Sequence, residues 1–210
     1  MKIAVIGATG RTGREVVDQA LARGHEVVAV ARSPERLRVS ADNVKTVAAE
    51  AHDGEALRRA IDGSDAIVST LGASKGRERT DIYSAGTANV LRAMDGGGSR
   101  RLAVISATPV GPRDEQPALF RLLVGPILDR LFAGAYADMR RMERELQQRH
   151  DVKWTCLRPP RLVTRRAGGY RLDRRPLPGN RTLTYPDLAA ALLDCVDGRE
   201  SRTGMLYVTG

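Results

Sequence analysis

The sequence predicts an α/β fold, a doubly wound parallel sheet with helices on both faces. Three observations carry this. An apolar run, Lys2–Ile6, leads straight into a glycine-rich turn and a helix-patterned segment. Strand-like and helix-like segments alternate through the first half of the chain. The strand runs are apolar at successive positions, not at alternate ones. Strands alternating with helices imply βαβ units and a parallel sheet, with right-handed crossovers. Strands apolar throughout imply that helices cover both faces. At 210 residues the chain suits one domain, 1–210, and can bury a sizeable core.

Taken in order, Lys2–Ile6 is a buried strand, and Arg14–Ala22 is a helix with Val16, Val17, Ala20 and Leu21 on one face. Glu26–Ala31 is the second strand. Ser33-Pro34 opens a helix, with serine as cap and proline at the first helical position. Val44–Ala48 is a short strand, Gly54–Ile61 a helix and Ala66–Leu71 an apolar strand. Ile82–Met94 is a long helix stopped by Gly96-Gly97-Gly98, and Leu102–Ser106 is a strand. The rhythm then changes. Residues 109–117 carry three prolines and read as a loop. Ala118–Phe132 is strongly apolar and must break or kink at Gly125-Pro126. Tyr136–Arg149 is a polar helix, Val152–Leu157 a strand, and residues 159–181 a Pro/Gly/Arg-rich excursion. Thr184 caps a last helix that runs to about Val196, and Met205–Thr209 is the final strand. Segments 109–134 and 159–181 are read as insertions on the substrate side. The stretch Ala118–Phe132 suits a wall or lid of that side, or, over Phe120–Phe132, a homodimer face.

No apolar run approaches the roughly 20 residues that span a membrane, and the short N-terminal run is a strand, not a signal peptide. Two cysteines, Cys156 and Cys195, make neither a disulfide framework nor a metal set. His25, His52 and His150 follow no ligand spacing, so no metal is assigned. A reducing, cytoplasmic location is expected. The net charge of +9 is local: residues 140–181 hold 13 Lys/Arg and 4 Asp/Glu, which leaves 21 of each sign elsewhere. That segment lacks interleaved aromatics and any nucleic-acid motif, so it points to an anionic small molecule before nucleic acid.

The turn Gly7-Ala8-Thr9-Gly10-Arg11-Thr12-Gly13 carries the chemistry. Between a strand and a helix, Gly7 permits the tight turn, Gly10 a close backbone approach to a pyrophosphate, and Gly13 close helix–strand packing. Free N–H groups at the helix start, aided by the helix dipole, suit phosphates. The second strand then discriminates between dinucleotides. An NAD site carries Asp or Glu about 20 residues on; here Arg32-Ser33 follow the strand. An arginine there can fork onto a 2′-phosphate, which points to NADP(H), with Arg11 and Arg36 assisting.

The glycine turn, Arg32-Ser33, Leu71-Gly72 after the fourth strand, Ser106-Ala107 after the fifth and Leu157-Arg158-Pro159-Pro160 after the sixth occur together in order. As a set they resemble the atypical short-chain dehydrogenase/reductases with an NAD(P)H-binding domain, of the biliverdin-IXβ reductase (flavin reductase) and NmrA-like kinds. The resemblance runs from Lys2 to Val208 and implies a Rossmann fold with the cofactor across the carboxyl ends of the strands. Gly7, Thr9, Gly10, Arg11, Thr12, Gly13, Arg32 and Ser33 are then candidate cofactor-binding residues, and the resemblance implies that Glu50 and Ala51 lie by the adenine and that Leu71, Gly72 and Ala73 line the cleft. Ser106, Ala107, Pro159 and Pro160 would flank the nicotinamide.

Two departures bear on chemistry. Flavin-reductase relatives often carry histidine after the paired prolines, whereas this chain has Arg161, which can hold an anion but not donate a proton near neutral pH. Ordinary short-chain dehydrogenases use Tyr-x-x-x-Lys; here Tyr136 precedes Arg140 by four. The arginine charge could lower the tyrosine pKa, or the two are an ordinary helix-start tyrosine and a surface arginine. Candidate catalytic residues are thus Ser106, Tyr136 and Arg161. The expected activity is NADPH-dependent hydride transfer to a flat conjugated acceptor such as a flavin, quinone or tetrapyrrole. Alternatives are an NADP(H) sensor of the NmrA-like kind and an NAD(P)-dependent epimerase/dehydratase.

Overall fold

The computed structural model describes residues 1–37, 39, 41–73, 80–95, 101–116, 122, 125–176 and 182–210. The elements are β1 (Lys2–Ile6), α1 (Arg11–Ala22), β2 (Glu26–Ala31), β3 (Val44–Ala48), α2 (Gly54–Ile61), β4 (Ala66–Ser69), α3 (Ile82–Asp95), β5 (Arg101–Ile105), α4 (Gly125–Leu131), α5 (Ala133–Gln148), β6 (Lys153–Arg158), β7 (Arg161–Val163), β8 (Arg171–Asp173), β9 (Thr182–Thr184), α6 (Tyr185–Asp197) and β10 (Gly204–Thr209). Single 3₁₀ turns occur at Pro34–Arg36 and Thr108–Val110.

One sheet runs β3-β2-β1-β4-β5-β6-β10-β8, parallel except for β8, which pairs antiparallel to β10. From β1 the chain works outward to β3, then returns to the other side of β1 and continues with β4, β5 and β6. The order therefore reverses between β1 and β4, where open parallel sheets bind their ligands.

Along each central strand alternate residues enter opposite cores. Ile3, Val5, Val27, Ala29 and Val68 pack with Val16 and Val17 of α1 and Leu188 and Leu192 of α6. Ala4, Ile6, Val28, Val30 and Ile67 pack with Leu57 of α2, Leu91 of α3 and Met142 of α5. Both faces are covered, which is why the strands are apolar at every position.

Several elements differ from the sequence expectation. Helix α1 begins at Arg11, not Arg14, because Arg14 N already bonds Gly10 O at 2.9 Å and the glycine turn merges into the first helical turn. Ser33-Pro34 yields one 3₁₀ turn without a side-chain cap; only Leu37 is buried there, too little apolar contact to carry a helix. Strand β4 ends at Ser69, because Thr70 turns its hydroxyl onto the carbonyls of Ile6 (2.9 Å) and Gly7 (3.2 Å). Gly125-Pro126 starts α4 instead of breaking a helix, since proline fits a first turn whose N–H groups have no intrahelical acceptor. Ile127, Leu131 and Phe132 of the apolar stretch are exposed. The 159–181 excursion contains β7, which pairs in parallel with β9, and β8. Gly96-Gly97-Gly98, Ala118–Arg121, Leu123, Val124 and residues 177–181 lie outside the described residues. Thr184 caps α6 by accepting from Asp187 N at 3.1 Å.

Part of the basic segment is paired within the protein, while Arg161, Arg165, Arg166 and Arg171 stay exposed. Arg140 pairs with Asp129, Arg141 with Asp138, and Arg149 with Asp95 and Asp151. Arg158, at the end of β6, is 6% exposed and meets Glu143 of α5 through two bonds of 2.9 and 2.8 Å. It also donates to Tyr207 Oη at 3.2 Å, and that hydroxyl donates to Glu115 at 2.8 Å. The network ties β6, β10 and α5 to the loop after β5. Arg158→Met strands the buried Glu143 carboxylate and should cost about 3–5 kcal/mol in urea denaturation. The Arg158→Met/Glu143→Leu pair should recover most of it.

Candidate functional site

A cleft of about 710 Å³ opens over the carboxyl ends of β1, β2 and β4. Its floor is the glycine turn. Gly7 holds φ +82°, a left-handed conformation suited to glycine, and its N–H bonds Val30 O at 2.9 Å. Gly10 N closes on Gly7 O at 2.9 Å. A Cβ on Gly13 would lie 2.2 Å from Gly7 O and 2.9 Å from Ala8 Cα, so only glycine lets α1 start this close to the turn. The close packing at Gly13 is thus against the turn itself, not against the strand as expected. Arg14 clips the turn from outside, donating to Thr9 O (3.1 Å) and Arg36 O (2.8 Å). No side chain caps α1 and its first turn carries no acidic residue, so its leading N–H groups remain suited to an anion.

Of the candidate residues, Gly7, Thr9, Gly10, Arg11 and Thr12 line the cleft, as do Arg32, Ala51, Leu71, Gly72 and Ala73. Gly13 lies beneath the turn. Ser33 and Glu50 stand outside the lining; Ser33 makes no capping bond, and Glu50 is exposed with its carbonyl accepting from Asp53 N at 3.1 Å. Arg32 is exposed and forms no ion pair among the described residues.

A second group gathers at the carboxyl ends of β5 and β6, beside the lining. Ser106 N donates to Leu157 O at 2.8 Å and Thr108 N to Pro159 O at 2.9 Å, bringing Ser106, Ala107, Pro159 and Pro160 together. Ser106 is 2% exposed and its Oγ has no hydrogen-bond partner among the described residues. Arg161 is exposed at the start of β7, and the cleft takes its neighbour Leu162 instead.

Tyr136 is not brought to the cleft. It is buried in the core on the α5 side, its ring 5.5 Å from that of Phe132. Burial, reinforced by Asp129, pushes its hydroxyl pKa up to about 12. Arg140 pulls the other way but is outweighed, and its guanidinium sits 3.3 Å from Asp129. The possibility that Arg140 depresses the Tyr136 pKa is therefore corrected: the hydroxyl is not tuned as an acid.

Other residues join the site from places that sequence reasoning did not reach. Tyr185, the first residue of α6, lines the cleft under the Arg11 guanidinium, 4.8 Å from ring centroid to Cζ. Only the packing of α6 against α1 brings them together; Thr184-Tyr185-Pro186-Asp187 reads as a helix start and nothing more. Tyr83 Oη accepts from Ala73 N at 3.0 Å and braces the Leu71–Ala73 wall. Asp138, fully buried on α5, caps α3 from across the fold, accepting from Tyr83 N at 2.8 Å and from the Ser84 hydroxyl. His52 lines the cleft beside Asp81. Among the described residues no cluster of metal-ligating side chains occurs, and no helix is long and apolar enough to cross a membrane.

The comparisons with known proteins agree with this geometry. The uncharacterized protein YwnB of Bacillus subtilis (strain 168) is 27% identical over 209 residues, covering 96% of this chain and 95% of that one. The oxidoreductase ylbE from Lactococcus lactis superposes with a TM-score of 0.79 at 21% identity, over 100% of this chain and 91% of that one. SP1627 from Streptococcus pneumoniae TIGR4, an NADH-flavin reductase by inference, superposes with a TM-score of 0.75 at 20% identity, over 100% and 99%. At such identities the two structures share the fold. The model of the NAD(P)H-binding family matches residues 7–199, from the first glycine of the turn to just past α6. The chain belongs to the NAD(P)H-binding family.

Proposed function

We propose that the chain is an NADPH-dependent oxidoreductase that passes hydride to a small conjugated acceptor of flavin, quinone or tetrapyrrole type. Arg32 carries the cofactor choice. Its guanidinium lines the cleft where β2 ends and has no carboxylate partner among the described residues. A charge-assisted contact to a 2′-phosphate contributes about 1.5–3 kcal/mol, or about 10–100-fold in affinity. The acidic residue that would bond the ribose hydroxyls of NAD is replaced here by Arg32-Ser33.

The reduced nicotinamide supplies the hydride when bound. The chain's residues hold, orient and shield. The glycine turn and the α1 N-terminus cradle the pyrophosphate, and Leu71, Gly72 and Ala73 form a wall braced by Tyr83. Ser106 donates its hydroxyl hydrogen to the carboxamide or to the acceptor. An unpaired buried hydroxyl costs about 1–3 kcal/mol, which a ligand oxygen would offset. Arg161, exposed beside the paired prolines, draws anionic acceptors toward that edge. With Tyr136 buried and Arg140 held by Asp129, no tuned protein acid stands ready among the described residues, which suits acceptors that take their proton from water.

The same lack of an acid favours a second reading, a sensor that binds NADP(H) without turnover. Loss of reduced-nicotinamide absorbance with flavins, quinones and biliverdin separates the two. Turnover supports the reductase, and tight NADPH binding with no acceptor reduced supports the sensor. Arg32→Ala should raise the Kd for NADPH about 10–100-fold and leave that for NADH unchanged in fluorescence titration. Ser106→Ala should lower kcat/KM about 10-fold, the loss of one hydrogen bond. Tyr136→Phe should leave the rate profile over about pH 6–10 unchanged, because a hydroxyl with a pKa of about 12 stays protonated throughout.

A further inference from the structure

We propose that His52 reads the 6-amino group of the adenine base and makes the cleft selective for adenine over a 6-oxo purine. The inference rests on the dinucleotide reading of the cleft. The adenosine ribose belongs at the end of β2, where Arg32 stands. The base beyond it then lies toward β3, the outer strand on that side of the sheet. There the cleft is walled by Ala49, Ala51, Thr80 and Ile82, small or apolar surfaces suited to a flat ring, and by His52.

Asp81 determines which hydrogen-bonding group the imidazole offers. His52 Nε2 lies 2.9 Å from Asp81 Oδ1, just ahead of α3. This bond holds the Asp81 carboxyl below its usual range, so the oxygen is a carboxylate and can only accept. Nε2 therefore carries the hydrogen. In the neutral ring that leaves Nδ1 with a lone pair and no hydrogen, and Nδ1 has no partner among the described residues. With Nδ1 turned to the base, this acceptor would match the exocyclic amine of adenine and repel the 6-oxygen of hypoxanthine. The pair adds little to stability, since the side chains are 50% and 64% exposed, so variants can change the base contact and keep the fold.

The test is fluorescence titration of the wild-type protein, His52→Ala and Asp81→Asn. The probes are NADPH, NADH and the hypoxanthine analogue of each. The wild-type protein should prefer the adenine forms about 5–10-fold. His52→Ala should lose that preference, keep its melting temperature and still prefer NADPH to NADH. Asp81→Asn, which frees the tautomer, should weaken the base preference. A wild-type protein indifferent to the base, or a His52→Ala variant with undiminished preference, overturns the assignment and leaves the Arg32 reading standing. Failure of all four dinucleotides to bind overturns both.

Discussion

The absence of a Cβ at Gly13 lets the start of α1 close to within van der Waals distance of the Gly7 carbonyl. Much of the cleft depends on that approach. It merges the turn into the helix, so that Arg14 N bonds Gly10 O and the uncapped first-turn N–H groups point toward the carboxyl end of β1. It also places Arg11 beside Tyr185, because α1 and α6 pack side by side on one face of the sheet. Gly7 in turn is held by Val30 and by the hydroxyl of Thr70. The turn is thus fixed by β2 on one side and by the end of β4 on the other, the two strands that flank β1.

The second half of the chain serves mainly to set the far wall. Asp138 is a buried carboxylate that caps a helix other than its own. By accepting from the first turn of α3 it links α5 to the Tyr83 side chain, and through Tyr83 to the backbone of Ala73. Just over one turn further on, Glu143 fastens the same helix to Arg158 of β6. Helix α5 is therefore a strut between the Leu71–Ala73 wall of the cleft and β6. Its polar sequence is explained by these buried pairs as much as by solvent.

The fold was legible because its signals are local. The apolar run Lys2–Ile6, the glycine turn and the alternation up to Ile105 each lie within a few consecutive residues, and all agree on a parallel sheet. The glycine-turn side of the cleft was legible for the same reason: Gly7, Thr9 to Thr12 and Arg32, which line it, sit at the ends of strands that hydrophobicity alone marks. What could not be read depends on distant residues meeting. The Arg11–Tyr185 stack, the Asp138 cap and the His52–Asp81 pair each join elements 29 to 174 positions apart. Tyr136 misled for a related reason. Its spacing from Arg140 says nothing of Asp129, which takes up the arginine and adds negative charge next to a hydroxyl already cut off from water.

The two margins of the sheet are β3 and β8, and both are short. An uncovered margin of a sheet presents unpaired backbone groups to any other strand that approaches. Strand β8 has only three residues, runs against the direction of its neighbour, and starts with an exposed arginine, Arg171. Strand β3 carries the exposed Lys45 as its second residue. A strand from another molecule that tried to extend the sheet would find few bonds to make and a positive charge at each side. The arginine-rich excursion thus acts as a hem, closing off a surface along which molecules of this kind would otherwise stack into aggregates.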